Sequence, residues 1–283
     1  MTASPCPFVT SAVGALLCVG LFLPKSALGE DKPVCLRIGH RGAPSQAPEN
    51  TLASVRAALR TGVDGVEFDV WYTADRKMIV IHDDRLARTT DGGDARVEEK
   101  TLAELRQLDA GSWGPWAGGQ FAGEKLPLPE EMVREILRGG AFPVIHLKEG
   151  SLIPDIMPIL VKQKAVQRAI IFCFEYRAMQ RLTKDYPHAR KAWLVGKSDF
   201  EKAGIQGVVA KALAAKCNCL APELGQVTPA LLAACHAAKL PVWTWTVDDP
   251  RRMERLLRMG VDGIVTNVPE KLNATLTRMK KHE

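Results

Sequence analysis

The sequence predicts an α/β fold: a (β/α)8 barrel of the TIM type, with one extra antiparallel hairpin strand and an insertion after it. Three observations predict it. From residue 33 onward, short apolar runs alternate with segments of helical spacing, the pattern of strand–helix units around a parallel sheet. Eight runs stand in that alternation, enough for closure. The chain has 283 residues, and such a barrel takes roughly 250.

The eight runs are Val34–Gly39, Gly65–Tyr72, Phe142–Leu147, Ala169–Phe174, Ala189–Val195, Cys217–Ala221, Pro241–Val247 and Gly263–Thr266. Helical spacing fills Thr51–Arg60, Ile153–Gln163, Tyr176–Asp185, Thr228–Ala238 and Pro250–Met259. Thr228-Pro229 and Asp249-Pro250 read as helix starts, and Gly62 and Gly260 as helix stops.

One run breaks the alternation. Met78–His82 follows the second strand after only the five residues Thr73–Lys77. A parallel crossover needs about a dozen or more, so these strands pair as an antiparallel hairpin. With the turn centred on Asp75, residue 82 returns opposite residue 68, which sets His82 beside Glu67 and Asp69. Residues 84–140 form the insertion. They hold Gly92-Gly93, Trp113, Trp116, Gly118-Gly119 and a helix over Glu130–Leu137. A segment this long serves either binding at the barrel mouth or packing as a flap.

In a barrel, chemistry gathers at the C-terminal ends of the strands. The first strand ends in Gly39-His40-Arg41-Gly42. The second carries Glu67 and Asp69, on one face because their spacing is two. The hairpin returns His82-Asp83. The next barrel strand carries His146 and Lys148, and the seventh Trp243 and Trp245. Paired carboxylates suit a hard divalent cation. Arg41 and Lys148 supply charge for a phosphate. His40 and His82 move protons near neutral pH. Together these are the parts for phosphodiester cleavage. Glu49 has two readings: a metal ligand or an orienter of ligands, or a charge at the start of a helix capped by Asn50. Trp245 and the Trp113/Trp116 loop are candidates to pack on substrate, with cation–π contact to a choline head. Trp243 serves equally as barrel core.

Gly39-His40-Arg41-Gly42, Pro48-Glu49-Asn50-Thr51, Asp64–Val70 and His82-Asp83 stand in order. Arg88-Thr89-Thr90, Leu108–Gly111, Trp245–Val247, Gly260–Gly263 and Thr266–Pro269 follow. The series resembles the glycerophosphodiester phosphodiesterase family over about residues 36–272. The resemblance implies a metal-dependent enzyme that releases glycerol 3-phosphate and an alcohol from a small-molecule glycerophosphodiester. It implies His40 and His82 as general acid and base, Glu67 and Asp69 as metal ligands with Mg²⁺ or Ca²⁺, and Arg41 and Lys148 on the phosphate. The chain departs from the family where a third metal-binding Glu is expected and His146 stands. Imidazole suits Mn²⁺ or Zn²⁺ better. Three readings follow: a softer metal preference, compensation by Glu49 or, less favoured because it points to the opposite strand face from Lys148, Glu149, or a catalytically weak phosphate-binding relative. A same-fold enzyme acting on lysophospholipid head groups is the alternative substrate reading.

Composition adds bounds. Apolar residues make up 46% and the net charge is +6, which suits an anionic substrate without demanding one. No zinc-finger spacing or aromatic-interleaved basic stripe supports nucleic-acid binding. Val9–Leu23 is uncharged and is followed by Ala27-Leu28-Gly29, so residues 1–29 read as a signal peptide and 33–280 as the exported barrel domain. An uncleaved N-terminal anchor is the alternative, and membrane contact is expected only there or through a lipid substrate. Beyond residue 29 five cysteines remain, an odd number that reads as buried free thiols.

Overall fold

The computed structural model describes Met1 and residues 35–280; the expected signal peptide falls outside that range apart from Met1. The first half holds β1 (Leu36–Gly39), α1 (Leu52–Arg60), β2 (Gly65–Tyr72), β3 (Met78–Val80), α2 (Leu102–Leu105), α3 (Pro129–Arg138) and β4 (Phe142–Leu147). Next come α4 (Ile153–Lys162), β5 (Ile170–Cys173), α5 (Tyr176–Asp185), β6 (Arg190–Val195) and α6 (Lys197–Ala214). The chain then runs through β7 (Cys219–Pro222), α7 (Pro229–Ala237), β8 (Trp243–Thr244), α8 (Pro250–Met259), β9 (Gly263–Thr266) and α9 (Pro269–Lys280).

The strands lie in the order β7-β6-β5-β4-β2-β1-β9-β8, and every pair along this path is parallel. Parallel bridges Leu220 to Val242 and Glu223 to Trp245 join the two ends and close the barrel. β3 stands off this ring and pairs antiparallel with β2, Val70 opposite Val80 and Tyr72 opposite Met78.

Strand parity sorts the side chains. Val66, Phe68, Val70, Ile145 and Leu147 point outward and pack with the buried faces of the surrounding helices. Ile38, Val144, Ile170, Phe172, Ala192, Leu194, Trp243 and Val265 point inward and fill the barrel. Trp243 therefore takes the core reading, packed against Phe142 and Phe172. The same parity sends Glu67, Asp69 and His146 into the barrel's upper interior, where apolar filling stops.

Caps hold the helices that flank the mouth. Thr51, not Asn50, caps α1 by accepting from the Ser54 N–H. Thr228 and Asp249 cap α7 and α8, and Gly260 ends α8 at φ 84°. The insertion builds a small core of its own, Leu86, Val97, Leu105, Ala110 and Leu126 against Ile79 and Ile81 of the hairpin. Cys35, Cys173, Cys217, Cys219 and Cys235 are free thiols among the described residues. Among the described residues no helix is long and apolar enough to cross a membrane.

Candidate active site

A cavity of about 230 Å³ opens at the C-terminal ends of the strands. One side is polar: His40, Arg41, Glu67, His82, His146 and Lys148. The other is apolar: Phe172, Phe174, Leu194, Trp245 and Val265.

The polar side is organised around Asp69, which is fully buried. Asp69 and His146 are register partners on β2 and β4, and His146 Nδ1 lies 2.9 Å from Asp69 Oδ1. Lys148 Nζ is 2.7 Å from the same oxygen. The Asn50 side-chain amide donates to Asp69 Oδ2 at 2.9 Å, and its carbonyl accepts from the Asp69 N–H at 3.2 Å. Burial pushes the Asp69 carboxyl up, but the Lys148 ammonium and His146 override it and hold it well below the usual range. Glu67, two residues earlier, has the opposite balance. Burial and the neighbouring Asp69 charge push it up.

Arg41 sits above both carboxylates because the backbone there turns left-handed. Arg41 has φ 53° and Gly42 φ 93°. A Cβ on Gly42 would lie 2.3 Å from Ser54 Oγ, so only glycine fits this turn. The turn delivers the Arg41 N–H to Glu67 Oε2 at 2.9 Å. Arg41 Nε is 3.5 Å from Asp69 Oδ2 and is buried without a hydrogen-bond partner among the described residues.

Glu67, Asp69 and His146 present ligand atoms all within 4.8 Å of one another, two carboxylates and an imidazole around one point. This donor set fits a divalent cation. Two buried carboxyls that oppose each other's ionisation are both stabilised as anions by a cation between them. Glu49, for which the sequence left open a role at the metal, is engaged by guanidiniums. It accepts from Arg41 Nη1 at 2.8 Å and from Arg88 Nη1 and Nη2 at 2.9 and 2.7 Å. Two guanidiniums hold it as an anion despite its burial, with its acidity strengthened. It orients Arg41 and does not join the three-ligand group.

The two other histidines flank this centre. His40 Nδ1 lies 2.7 Å from Asn267 Oδ1, and its Nε2 is 3.9 Å from Glu67 Oε2. Burial, aided by Arg41, pushes its pKa down to about 4. His82 Nδ1 lies 2.6 Å from Asp83 Oδ1. Burial lowers His82 as well, while Asp69 and Asp83 oppose the shift. Asp83 in turn accepts from Arg88 Nε at 2.5 Å. A chain of hydrogen bonds therefore runs His82–Asp83–Arg88–Glu49–Arg41 around the rim.

On the apolar side, Trp245 Nε1 donates to the Ala221 carbonyl at 2.8 Å, which fixes its ring. Phe174 meets it edge-on, centroids 5.5 Å apart, and is 47% exposed at the mouth. Trp113 and Trp116 do not line this cavity. Trp113 instead lies under Arg88, 5.9 Å from its guanidinium carbon. Sequence reasoning missed Asn50, Asn267 and Phe174 as site residues. Parity could have found two of them: residue 267 shares a face with Val265, and residue 174 with Phe172.

Comparison with known proteins agrees with this geometry. The Glycerophosphoryl diester phosphodiesterase family model matches residues 40–271. A glycerophosphodiester phosphodiesterase of Caldanaerobacter subterraneus subsp. tengcongensis is 35% identical over 84% of this chain and 96% of its own. A phosphodiesterase of Oleispira antarctica, solved with the product sn-glycerol-3-phosphate, superposes with a TM-score of 0.76 at 30% identity. The superposition covers 85% of this chain and 96% of that one. A putative glycerophosphoryl diester phosphodiesterase of Silicibacter pomeroyi gives a TM-score of 0.79 at 27% identity, over 88% and 95% of the two chains. Fold, site and sequence agree, and the chain belongs to the glycerophosphoryl diester phosphodiesterase family.

Proposed function

We propose that this chain hydrolyses glycerophosphodiesters to glycerol 3-phosphate and an alcohol with the help of a divalent metal. One observation carries the reading: His40, His82, Arg41 and Lys148 line a single cavity together with Glu67 and His146, two members of a three-ligand metal-type group whose third, Asp69, is buried beside them. Glu67, Asp69 and His146 would hold the metal, which supplies positive charge for the phosphoryl oxygens. Arg41 and Lys148 add donors for the same oxygens. His40, kept neutral by its surroundings, takes the proton of the attacking oxygen on Nε2 as the new P–O bond forms. His82, backed by the Asp83 carboxylate, gives a proton to the alcohol oxygen as its P–O bond breaks.

The apolar wall of Phe174, Leu194 and Trp245 supports a leaving alcohol with an apolar or quaternary ammonium surface. Glycerophosphocholine is therefore the assay substrate, with a lysophospholipid as comparison. His40→Ala and His82→Ala should each lower kcat by roughly 100-fold or more, the range for loss of a general acid or base. Wild-type rates in either variant, with metal present, would overturn the assignment.

We also propose that the barrel domain, 33–280, is exported. The uncharged run Val9–Leu23 and the small residues Ala27 and Gly29 support this. Cell fractionation with N-terminal sequencing tests it. A mature start near Glu30 is expected; a retained leader in a membrane fraction would favour the anchor.

A further inference from the structure

The side-chain amide of Asn267 stands between His40 and Asp248, and its orientation is dictated by what surrounds it. A carboxylate only accepts hydrogen bonds. Asp248 Oδ1 accepts from Thr266 Oγ1 at 3.0 Å and from the Asn267 N–H at 2.8 Å. Asp248 Oδ2 accepts from Asn267 Nδ2 at 2.7 Å. Turning the amide over would set two oxygens at that distance, so its NH₂ must face Asp248. Its carbonyl then faces His40 Nδ1 at 2.7 Å. An amide oxygen has no proton to give, so the proton of neutral His40 sits on Nδ1. The lone pair sits on Nε2, on the side of Glu67 and the cavity.

We propose that Asp248 and Asn267 are positioning residues that set the tautomer of His40 and so keep its Nε2 free to accept a proton. The inference rests on the reading of His40 as the base, and it assigns the reason that base is ready. The backbone reinforces the arrangement. The His40 N–H donates to the Thr266 carbonyl at 2.8 Å and the Ser45 N–H to the Asn267 carbonyl at 3.3 Å. The relay thus spans β1, β9 and the loop after β8. His82 differs, since a carboxylate contacts its Nδ1 directly with no amide between.

The arrangement has a polarity, and polarity can be reversed without changing shape. In Asp248→Asn the new carbonyl stays under Thr266 Oγ1 and the Asn267 N–H. The new NH₂ then points at Asn267 and turns its amide over. Asn267 Nδ2 would donate to His40 Nδ1, and the imidazole proton would move to Nε2. The double exchange Asp248→Asn with Asn267→Asp restores the original direction, because residue 248 donates and residue 267 accepts from His40.

Two readouts test this on the full-length enzyme. The ¹⁵N spectrum of the His40 ring in the resting protein should show Nδ1–H in wild type, Nε2–H in Asp248→Asn, and Nδ1–H again in the double exchange. For glycerophosphocholine, kcat should fall roughly 100-fold in Asp248→Asn with KM within about threefold, and return to within about tenfold in the double exchange. Retention of Nδ1–H in Asp248→Asn overturns the relay whatever the rate. An inverted tautomer with wild-type kcat overturns the role of His40 as base, and with it the relay's purpose. A double exchange that regains Nδ1–H but not turnover overturns it as well.

Discussion

Asp69 and His146 sit at matched positions on neighbouring parallel strands, with Oδ1 and Nδ1 2.9 Å apart. The pair gives the proposed metal group one imidazole beside two carboxylates. Nitrogen donors favour Mn²⁺ and Zn²⁺ over Mg²⁺ and Ca²⁺. Chelation should abolish turnover of glycerophosphocholine, and Mn²⁺ or Zn²⁺ should restore it best. In His146→Glu the order should reverse in favour of Mg²⁺ or Ca²⁺. An identical metal ranking in the two proteins would remove His146 from the ligand set.

Glu49 gives a separate test, because its partners are guanidiniums. Glu49→Gln leaves Arg41 and Arg88 with a weaker acceptor in a half-buried setting. Loss of a charge-assisted hydrogen bond of about 1.5–3 kcal/mol corresponds to roughly 10–100-fold, and it should appear in kcat/KM through a misplaced Arg41. Metal affinity measured by titration should fall far less than in Glu67→Gln, because Glu49 bonds to Arg41 and Arg88 and to no member of the three-ligand group. A loss of metal affinity comparable to that of Glu67→Gln would return Glu49 to the metal.

The barrel was legible because parallel strands buried on both faces read as short apolar runs, and eight of them alternate with helical segments along the chain. The hairpin was legible because the five residues between Tyr72 and Met78 are too few for a crossover. Helix α6 was not legible. Gly204 at φ 63° bends it, so no single apolar stripe runs its length. The polar centre was readable where spacing by two fixed a shared face, as for Glu67 with Asp69 and His146 with Lys148. Asn50 was misread as the cap of α1, and the guanidinium partners of Glu49 were not foreseen, for one physical reason. Asn50 adopts φ 56°, and the left-handed turn sends the two side chains to different partners. Local spacing carries no sign of that turn.

The rim network predicts an acid-sensitive step in stability. Burial pushes Asp83 up, but Arg88 and His82 pull it down to about 2, below its ordinary value near 3.9. A carboxyl depressed in the folded state contributes stability above its unfolded pKa and loses it as pH falls through the folded one. Glu49 is shifted in the same direction. The wild type should therefore lose Tm progressively between pH 4 and pH 2, beginning about where these groups first protonate in the unfolded chain. Asp83→Asn should show a shallower decline over that window. Parallel Tm–pH curves would show that the network adds nothing to folding.

The two tryptophans of the seventh barrel strand, β8, and its extension should separate stability from turnover. Trp243 is 3% exposed and fills the barrel between Phe142 and Phe172. Trp243→Ala should destabilise by about 3–5 kcal/mol, the range for emptying a buried aromatic site. Trp245 spends its indole N–H on the Ala221 carbonyl and turns its ring to the cavity. Trp245→Phe should lose only about 1 kcal/mol of stability from that bond. It should raise KM for glycerophosphocholine, because phenylalanine is a poorer partner for a quaternary ammonium and its ring is no longer tied to Ala221. Denaturant melts and steady-state kinetics on both variants decide the matter. Equal stability losses would put Trp245 in the core with Trp243, and an unchanged KM would remove it from the substrate's path.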